Sequence, residues 1–362
     1  MIGQFAPQER PAPILSVRDL RVEIPIAGTW RPAVDGVDFD LAQGEALAVV
    51  GESGCGKTLL GRALLALTPE GARLSGSLKW RGRELLGAED REWRRVRGRE
   101  VALIFQEPAA ALDPVRTVGS QLLEAIQLHR RVRRAEAVEI ARERLGEVAF
   151  RDPDRILREH PHRLSGGERQ RAFIAIALAG DPAVLIADEP TAALDSTIAA
   201  QVLELLDRLR AERGLALVLI THDMGIVAQR TDRALVLYAG KVAEQAATAE
   251  LFRSPRHPYA RGLLRSVPRL GEAGGPSRRF DAIPGIVPDL AMRPAGICAF
   301  VPRCPERFSP CDQRAPILYP TAGGSLARCF LYEPGGAAAL HAHTSSQPVP
   351  AALHHPLALP RS

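Results

Sequence analysis

Cysteines and long hydrophobic runs are both scarce in this chain of 362 residues. The uncharged run at 172–180 has nine residues, about half of the roughly 20 that a helix needs to span a bilayer. The first residues, MIGQFAPQERPAPIL, lack the charged-then-apolar pattern of a signal peptide, which argues against secretion. We therefore expect a cytosolic protein without a membrane span, whose five cysteines suit metal binding better than disulfides.

Charge gives little information about partners. Lys and Arg number 47 against 42 Asp and Glu, for a formal net charge of +5, with basic runs at 91–99 and 129–134. Such runs can bind nucleic acid or a membrane surface, but they are more commonly solvated helix faces. Composition alone does not choose between these interpretations.

The hydrophobic pattern alternates between buried strands and amphipathic helices. The predicted strands are 14–26, 45–50, 183–190 and 215–223. Between the last two, apolar residues recur at helical spacing, and Asp195 or Ser196 is the predicted N-cap. Strand, helix and strand in this order, with apolar strands, predict an α/β fold with a largely parallel sheet.

The octapeptide GESGCGKT lies between a predicted strand and a predicted helix. It fits the phosphate-loop pattern G-x-x-x-x-G-K-[ST] in the context that this pattern requires. Backbone N–H groups would surround the β-phosphate, Lys57 would reach the β- and γ-phosphates, and the Thr58 hydroxyl would ligate Mg²⁺. The predicted nucleotide-binding residues are Gly51, Glu52, Ser53, Gly54, Cys55, Gly56, Lys57 and Thr58.

Two acids end the predicted strand at 183–190. Asp188 suits a Mg²⁺ shell because a hard cation prefers carboxylate oxygen. Glu189, the next residue, can polarise an attacking water. A helix cap is the alternative for such a pair, and the phosphate loop favours the catalytic interpretation.

Six motifs in order resemble those of ABC-type ATPases: GESGCGKT, IFQEP, LSGGE, LIADEP, TAALD and LITHD. The resemblance implies an ATP- and Mg²⁺-dependent P-loop core, with a mixed, largely parallel sheet, flanking helices and a helical subdomain. It also implies that Gln106 senses Mg²⁺ and the membrane partner, and that His222 contacts the γ-phosphate. Asp195 would lie at a dimer seam.

The LSGGE loop carries a further implication. Ser165, Gly166 and Gly167, at a helix start, offer donors to a γ-phosphate. By resemblance that phosphate belongs to a second subunit, so two ATP molecules hold two subunits together until hydrolysis releases them. Trp30 has two interpretations, an adenine contact or a core residue.

The carboxyl-terminal part resembles the extension of oligopeptide and dipeptide importer ATPases. The matching stretches are HPYARGLL (257–264), IPGIVPDL (283–290) and the cysteine region, so the resemblance covers about 14–333. It implies ATP-driven uptake of di- or oligopeptides on the cytoplasmic face of a bacterial inner membrane, as a peripheral subunit. The implied partners are a related second ATPase in a heterodimer, two membrane permeases and an extracytoplasmic binding protein, with no nucleic acid.

The change in composition along the chain and the family resemblance together predict the domain organisation. The expected parts are an ATPase domain at 14–250 with a helical subdomain at about 107–165, a cysteine-containing irregular extension at 251–334, a linker at 271–279 and a disordered tail at 335–362. The helical subdomain would dock the permeases.

Four of the cysteines lie in the extension, at Cys298, Cys304, Cys311 and Cys329. Their spacing lacks the close C-x₂-C pair of zinc ribbons, and four thiolates can hold Zn²⁺ or an iron–sulfur cluster. The resemblance favours a structural [4Fe–4S] cluster, with zinc or free buried thiols as alternatives. Cys55, beside Lys57 at a helix start, is expected to favour the thiolate, so that its alkylation would block ATP binding.

Other functions are compatible with the ATPase motifs. A soluble ABC ATPase of DNA repair or translation usually carries two motif sets or long insertions, and one compact set is present here. An exporter ATPase would generally lack the HPY stretch and the four cysteines. Within importers, nickel or another small solute is the alternative to peptides, because separate subunits select the substrate.

Overall fold

The computed structural model describes residues 12–106, 111–192, 194–266 and 283–336. Its strands are β1 (Leu15–Ile26), β2 (Thr29–Leu41), β3 (Ala46–Val50), β4 (Arg73–Trp80), β5 (Arg83–Glu84), β6 (Val101–Ile104), β7 (Val184–Asp188), β8 (Ala216–Thr221), β9 (Arg233–Tyr238), β10 (Lys241–Ala247), β11 (Tyr319–Pro320) and β12 (Leu326–Ala327). The predicted linker at 271–279 and nearly all of the predicted tail lie outside the described residues.

Helices of this part of the chain connect the strands and cover them. They are α1 (Lys57–Ala63), α2 (Asp90–Val96), α3 (Val118–His129), α4 (Arg134–Glu147), α5 (Pro153–Arg158), α6 (Gly166–Ala177), α7 (Ser196–Arg213), α8 (Met224–Arg230), α9 (Thr248–Arg253) and α10 (Pro258–Arg265). None of the helices in the described ranges combines the length and the apolar character that crossing a bilayer requires.

The main sheet has eight strands in the order β11-β12-β10-β9-β3-β8-β7-β6. Strands β9, β3, β8, β7 and β6 pair in parallel, whereas β10, β12 and β11 add an antiparallel edge. Every residue of β3, β7 and β8 is buried, as expected for strands covered on both faces. The predicted mixed, largely parallel sheet with flanking helices is confirmed.

A second, antiparallel sheet of four strands, in the order β2-β1-β4-β5, packs beside the first. Only β1 of this sheet is predicted from the sequence. Side chains of β1, β2 and β4 share one hydrophobic cluster with α1 and the main sheet, including Leu15, Leu47, Leu60 and Ile186. This cluster supports the loop between β3 and α1.

The helical subdomain packs through one apolar face of each helix. Val118, Leu122 and Ile126 of α3 are fully buried. Thr117 caps α3 by accepting a hydrogen bond from the Ser120 N–H at 3.1 Å, an interaction typically worth about 1 kcal/mol. These residues belong to a second hydrophobic cluster, which also includes residues of α6, α7 and the main sheet. The subdomain is therefore continuous with the core.

The extension is attached to the ATPase body through backbone and side chains. Strand β12 pairs with β10, with Ala327 opposite Glu244, and the Arg328 N–H donates to the Ala243 carbonyl at 2.8 Å. A third hydrophobic cluster joins extension residues such as Phe300 and Phe330 to β9 and β10. The predicted boundary after residue 250 falls inside α9.

Candidate functional site

The phosphate loop joins the end of β3 to α1. Gly51 has φ 152°, and a Cβ there would lie 2.2 Å from the carbonyl oxygen of Leu237. Gly56 has φ 109°, and its Cβ would lie 2.9 Å from the carbonyl oxygen of Ala33. Side chains are therefore excluded where the loop packs against β9 and β2, which leaves its backbone free to face a ligand.

Lys57 is the cation of this loop, and it is only 7% exposed. Its Nζ donates to the carbonyl oxygens of Gly51 at 2.8 Å and of Glu52 at 3.1 Å. Among the described residues these acceptors are uncharged carbonyls, so no carboxylate offsets the ammonium and the site favours an anionic ligand.

Thr58, in α1, and Asp188, at the end of β7, bring two side-chain oxygen atoms together. The Thr58 hydroxyl donates to Asp188 Oδ1 at 3.2 Å. Asp188 is 3% exposed, and burial raises the pKa of its carboxyl group while the Thr58 hydrogen bond acts in the opposite direction. A hydroxyl and a carboxylate are ligands that Mg²⁺ prefers, so the pair fits this cation.

Glu189 and His222 lie together beside this pair. Glu189 Oε1 and His222 Nδ1 are 3.0 Å apart. Glu189 has φ 46°, a left-handed conformation that is costly for a residue with a side chain. Its N–H donates to the Ile220 carbonyl at 2.9 Å, and this bond to β8 holds the residue in place.

A cleft of about 620 Å³ opens over the loop. It is lined by the sequence-predicted residues Ser53, Gly54, Gly56, Lys57, Thr58, Gln106, Glu189 and His222. It is also lined by residues that the sequence did not predict for the site, namely Ala33, Leu59, Arg62, Val287, Pro288, Asp289, Leu290 and Arg293. The last five belong to the extension, and no sequence pattern indicated that the extension would reach the phosphate loop.

The LSGGE residues are not among those lining the cleft. Ser165 is the N-cap of α6, where its hydroxyl accepts from the Glu168 N–H at 3.2 Å and Glu168 bonds back to the Ser165 N–H at 3.0 Å. Gly167 packs against Ile198, since a Cβ would lie 2.5 Å from Ile198 Cγ2. The exposed loop therefore stands apart from the phosphate loop of its own chain.

Asp195 also lies outside this cleft and caps α7. Its Oδ1 accepts a hydrogen bond from the Ile198 N–H at 3.0 Å, which selects Asp195 over Ser196 as the N-cap. Since α7 begins against the start of α6, Asp195 and Ser165 occupy neighbouring helix starts.

Trp30 lies in β2 opposite Pro25. The Arg73 guanidinium carbon is 3.7 Å from the centroid of its ring, a cation–π arrangement. Trp30 is not among the residues that line the cleft over the phosphate loop, and its role as an adenine contact stays a prediction.

The predicted activation of Cys55 is wrong. Its side chain is fully buried, and burial raises the pKa of the thiol, with Lys57 exerting only a smaller opposing effect. Desolvation disfavours the thiolate more than the neighbouring ammonium stabilises it, and the side chain does not line the cleft.

We expect iodoacetamide to leave Cys55 unmodified in the folded chain at pH 7.5 and to alkylate it in urea, because the native thiol is neutral and inaccessible. Peptide mass spectrometry of samples quenched over an hour measures this. Stoichiometric alkylation of Cys55 without denaturant would contradict the burial described here.

Of the four cysteines of the extension, Cys298 and Cys311 lie in the third hydrophobic cluster, Cys304 packs against it, and Cys329 is also buried. Burial raises the pKa of both Cys304 and Cys329 to about 12, and the neighbouring thiols add to this effect. Within the described ranges, no three His, Cys, Asp or Glu side chains are arranged to hold a metal ion. This result gives no support to the predicted iron–sulfur or zinc site, which stays a prediction.

Comparisons with known proteins cover most of the chain. An ABC transporter family model matches residues 34–192, and a model of the oligopeptide/dipeptide transporter C-terminal region matches 243–311. A probable peptide ABC transporter ATP-binding protein of Sinorhizobium fredii is 45% identical over 88% of this chain and 94% of its own length. The oligopeptide transport ATP-binding protein AppD of Bacillus subtilis is 44% identical over 84% of this chain and 93% of its own length.

Solved structures agree with this result. A dimeric ATP-binding cassette bound to ADP and Pi in a post-hydrolysis state has a TM-score of 0.58 and 25% identity, and it covers 65% of this chain and 98% of its own. A second structure, the dimeric cassette of a bacterial ABC transporter, has the same TM-score and 26% identity with the same coverage. With a phosphate loop, an acid pair and an LSGGE helix on this fold, the chain belongs to the family of ABC transporter ATP-binding subunits, ATPases that carry the oligopeptide/dipeptide transporter C-terminal region.

Proposed function

We propose that the chain hydrolyses ATP to power uptake of di- or oligopeptides through separate permease subunits. The observation that carries the ATPase activity is the cleft lined by Lys57, Thr58 and the Glu189–His222 pair, with Asp188 hydrogen-bonded to Thr58. Peptide as the cargo is supported by the match at 243–311 and by relatives of 44–45% identity that are named as peptide or oligopeptide ATP-binding proteins.

Each pair of residues has its own proposed role in hydrolysis. Backbone N–H groups of the loop at 51–58 and the Lys57 ammonium would bind the β- and γ-phosphates. Thr58 and Asp188 would hold Mg²⁺, which neutralises phosphate charge, and Gln106 at the rim of the cleft would complete this side. Glu189 would orient and deprotonate the attacking water, and His222, 3.0 Å away, would contact the γ-phosphate.

The site is proposed to be completed by a second ATPase subunit. Ser165, Gly166 and Gly167 are not among the residues that line the cleft of their own chain, and Ser165 and Gly166 are exposed at the start of α6. Donors in this position can bind a γ-phosphate only from another nucleotide site. Asp195, at the neighbouring start of α7, would lie at the same seam, and a related but different ATPase is the proposed partner.

The proposed location is the cytoplasmic face of a bacterial inner membrane, beneath two permeases that receive peptides from an extracytoplasmic binding protein. The proposed ATPase domain is 14–250, with the extension at 251–334. On the helical subdomain, Val115 is 81% exposed and Leu128 is 76% exposed. The helical subdomain is proposed to dock the permeases, and these exposed side chains are available for that contact.

The four extension cysteines are proposed to bind a [4Fe–4S] cluster, with zinc as the alternative metal. Three buried cysteines and the partly buried Cys304 support this proposal, because they lie close enough to raise the pKa of one another's thiols. Anaerobic purification followed by metal analysis tests it, with four iron and four sulfide per chain expected for such a cluster. A colourless protein with stoichiometric zinc would exclude the cluster, and a metal-free chain with four titratable thiols would exclude both metals.

Transport in liposomes tests the proposed function as a whole. The chain is reconstituted with its co-purified permeases, second ATPase and binding protein, and uptake of a labelled tripeptide is measured with and without ATP on the ATPase side. We expect ATP-dependent uptake. In Lys57→Ala, uptake should be lost and ATP affinity should fall at least about tenfold, because a charged hydrogen-bond donor is removed.

Lys79→Ala is the matched control, because Lys79 is an exposed lysine of β4 and its removal should leave uptake unchanged. Nickel uptake is measured in the same vesicles. ATP-dependent nickel uptake without peptide uptake would overturn peptide as the cargo, and equal ATP affinity in Lys57→Ala would overturn the assigned phosphate site.

A further inference from the structure

Residues of the extension form hydrogen bonds with both the side-chain carboxylate and the backbone N–H of Glu52, a residue of the phosphate loop. The Arg303 guanidinium donates two hydrogen bonds to the Glu52 carboxylate, Nη1 to Oε2 at 2.7 Å and Nη2 to Oε1 at 2.9 Å. The Glu52 N–H donates to the phenolic oxygen of Tyr259 at 2.8 Å. Loop backbone and loop side chain are therefore both held by residues that lie more than 200 positions further along the chain.

Arg303 is built into the extension as a rigid donor. Its side chain is only 4% exposed, and it also donates to the carbonyl oxygens of Pro284 at 2.8 Å and Gly285 at 3.2 Å. A planar guanidinium with several fixed acceptors is held in one orientation. The two parallel bonds to Glu52 then define the position of that carboxylate.

Tyr259 is equally fixed. It is fully buried, and its ring packs against Tyr238 at a centroid distance of 4.7 Å and against Phe300 at 5.5 Å. Phe300 precedes Arg303 by one 3₁₀ turn, Val301–Arg303. The aromatic cluster therefore links the segment that carries Arg303 to the helix that carries Tyr259.

Arg293 gives a third contact with the loop. Its Nη2 donates to the Gly54 carbonyl at 2.9 Å, and its Nη1 donates to the Ala33 carbonyl at 2.9 Å. Arg293 also lines the nucleotide cleft together with Val287–Leu290. Contacts at Glu52 and Gly54 thus lie on both sides of Ser53 in the loop.

The stretch of loop backbone that the extension contacts also supplies the acceptors of Lys57. The ammonium of Lys57 donates to the carbonyl oxygens of Gly51 and Glu52, so a shift of Glu52 moves an acceptor of the proposed phosphate-binding cation. We propose that Arg303 is a positioning residue, which acts through Glu52 to keep the phosphate loop in its ligand-binding form. This inference rests on the proposed role of the loop at 51–58 in binding nucleotide.

Calorimetric titration of the full chain with MgADP tests the proposal. Arg303→Gln and Glu52→Gln are each expected to weaken ADP affinity at least tenfold. The double variant should be no weaker than the weaker single variant, because both changes break one interaction. Arg303→Lys, which keeps the charge but loses the paired geometry, should recover part of the affinity.

Arg314→Gln is the matched control, since Arg314 pairs with Glu333 inside the extension at 2.6 Å and should leave ADP affinity unchanged. Thermal unfolding of every variant separates positioning from folding, and Glu52→Gln supplies the test if Arg303→Gln does not fold. Affinities within twofold of the wild type in folded Arg303→Gln or Glu52→Gln, or additive losses in the double variant, would overturn the proposal. If Lys57→Ala loses affinity but these variants do not, only this inference fails, whereas unchanged affinity in Lys57→Ala removes the proposed phosphate site.

Discussion

Replacing Glu189 by Gln is expected to lower steady-state ATP turnover by at least about 100-fold while ATP affinity changes by less than about threefold. The substitution removes the carboxylate that faces His222 at 3.0 Å but leaves Lys57, Thr58 and Asp188 in place. Water activation is thereby lost and the phosphate cradle is kept. The variant should therefore bind ATP and retain it.

Phosphate release and equilibrium ATP binding, measured on the same preparation, separate these two effects. Glu204→Gln is a suitable control, because Glu204 is an exposed glutamate of α7 and its charge does not face the cleft. A Glu189→Gln variant that hydrolyses ATP within about threefold of the wild-type rate would remove Glu189 from the proposed role of base.

Replacing Ser165 by Asp is expected to abolish turnover in the assembled pair of ATPases, by at least about 100-fold, without weakening ATP binding by the isolated chain. Aspartate is as good an N-cap as serine, so α6 and its hydrogen bond to the Glu168 N–H should persist. A carboxylate in place of the hydroxyl would repel a γ-phosphate presented by the partner and would remove a donor, whose loss alone typically costs 100- to 1000-fold.

The comparison requires two conditions for each variant, namely the isolated chain and the complex with its second ATPase. Thr117→Asp is the matched control, because it changes the N-cap of α3 and leaves the LSGGE loop untouched. Loss of ATP affinity in the isolated Ser165→Asp chain would contradict the separation between Ser165 and the cleft. Full turnover in the complex would contradict the site shared between subunits.

The chemistry of the phosphate site was predictable because its residues lie in short local patterns. Positions 51 and 56 require glycine because a Cβ there would collide with a neighbouring carbonyl oxygen. The glycines themselves are part of the sequence pattern. Asp188 and Glu189 follow a strand of five buried residues, so their position at a sheet edge was also a local inference. The N-cap role of Asp195 follows from the same kind of pattern.

The antiparallel sheet was less predictable. Strand β2, with the sequence TWRPAVDGVDFDL, contains Pro, Gly and Asp, which are depleted in strands. It forms because Val34, Val37, Phe39 and Leu41 are buried against β1 and the core. Tertiary packing here outweighs local preference.

The burial of Cys55 and the reach of the extension needed the three-dimensional structure. Next to Lys57, the local pattern favours a thiolate, but full burial reverses this preference. Arg303 and Glu52 are 251 positions apart, and no periodicity or spacing connects them. Such contacts form in the folded chain, where β12 pairs with β10 and the extension packs against β9 and β10.

We propose that ATP hydrolysis in the cleft of this chain is coupled to peptide movement. The most direct test measures phosphate release by the complete reconstituted transporter with and without binding protein that carries a tripeptide. Peptide-loaded binding protein should raise ATP turnover in the wild type, and the Glu189→Gln transporter should show no such rise. A turnover rate that is the same with and without loaded binding protein, or a full response in the Glu189→Gln transporter, would contradict the claim.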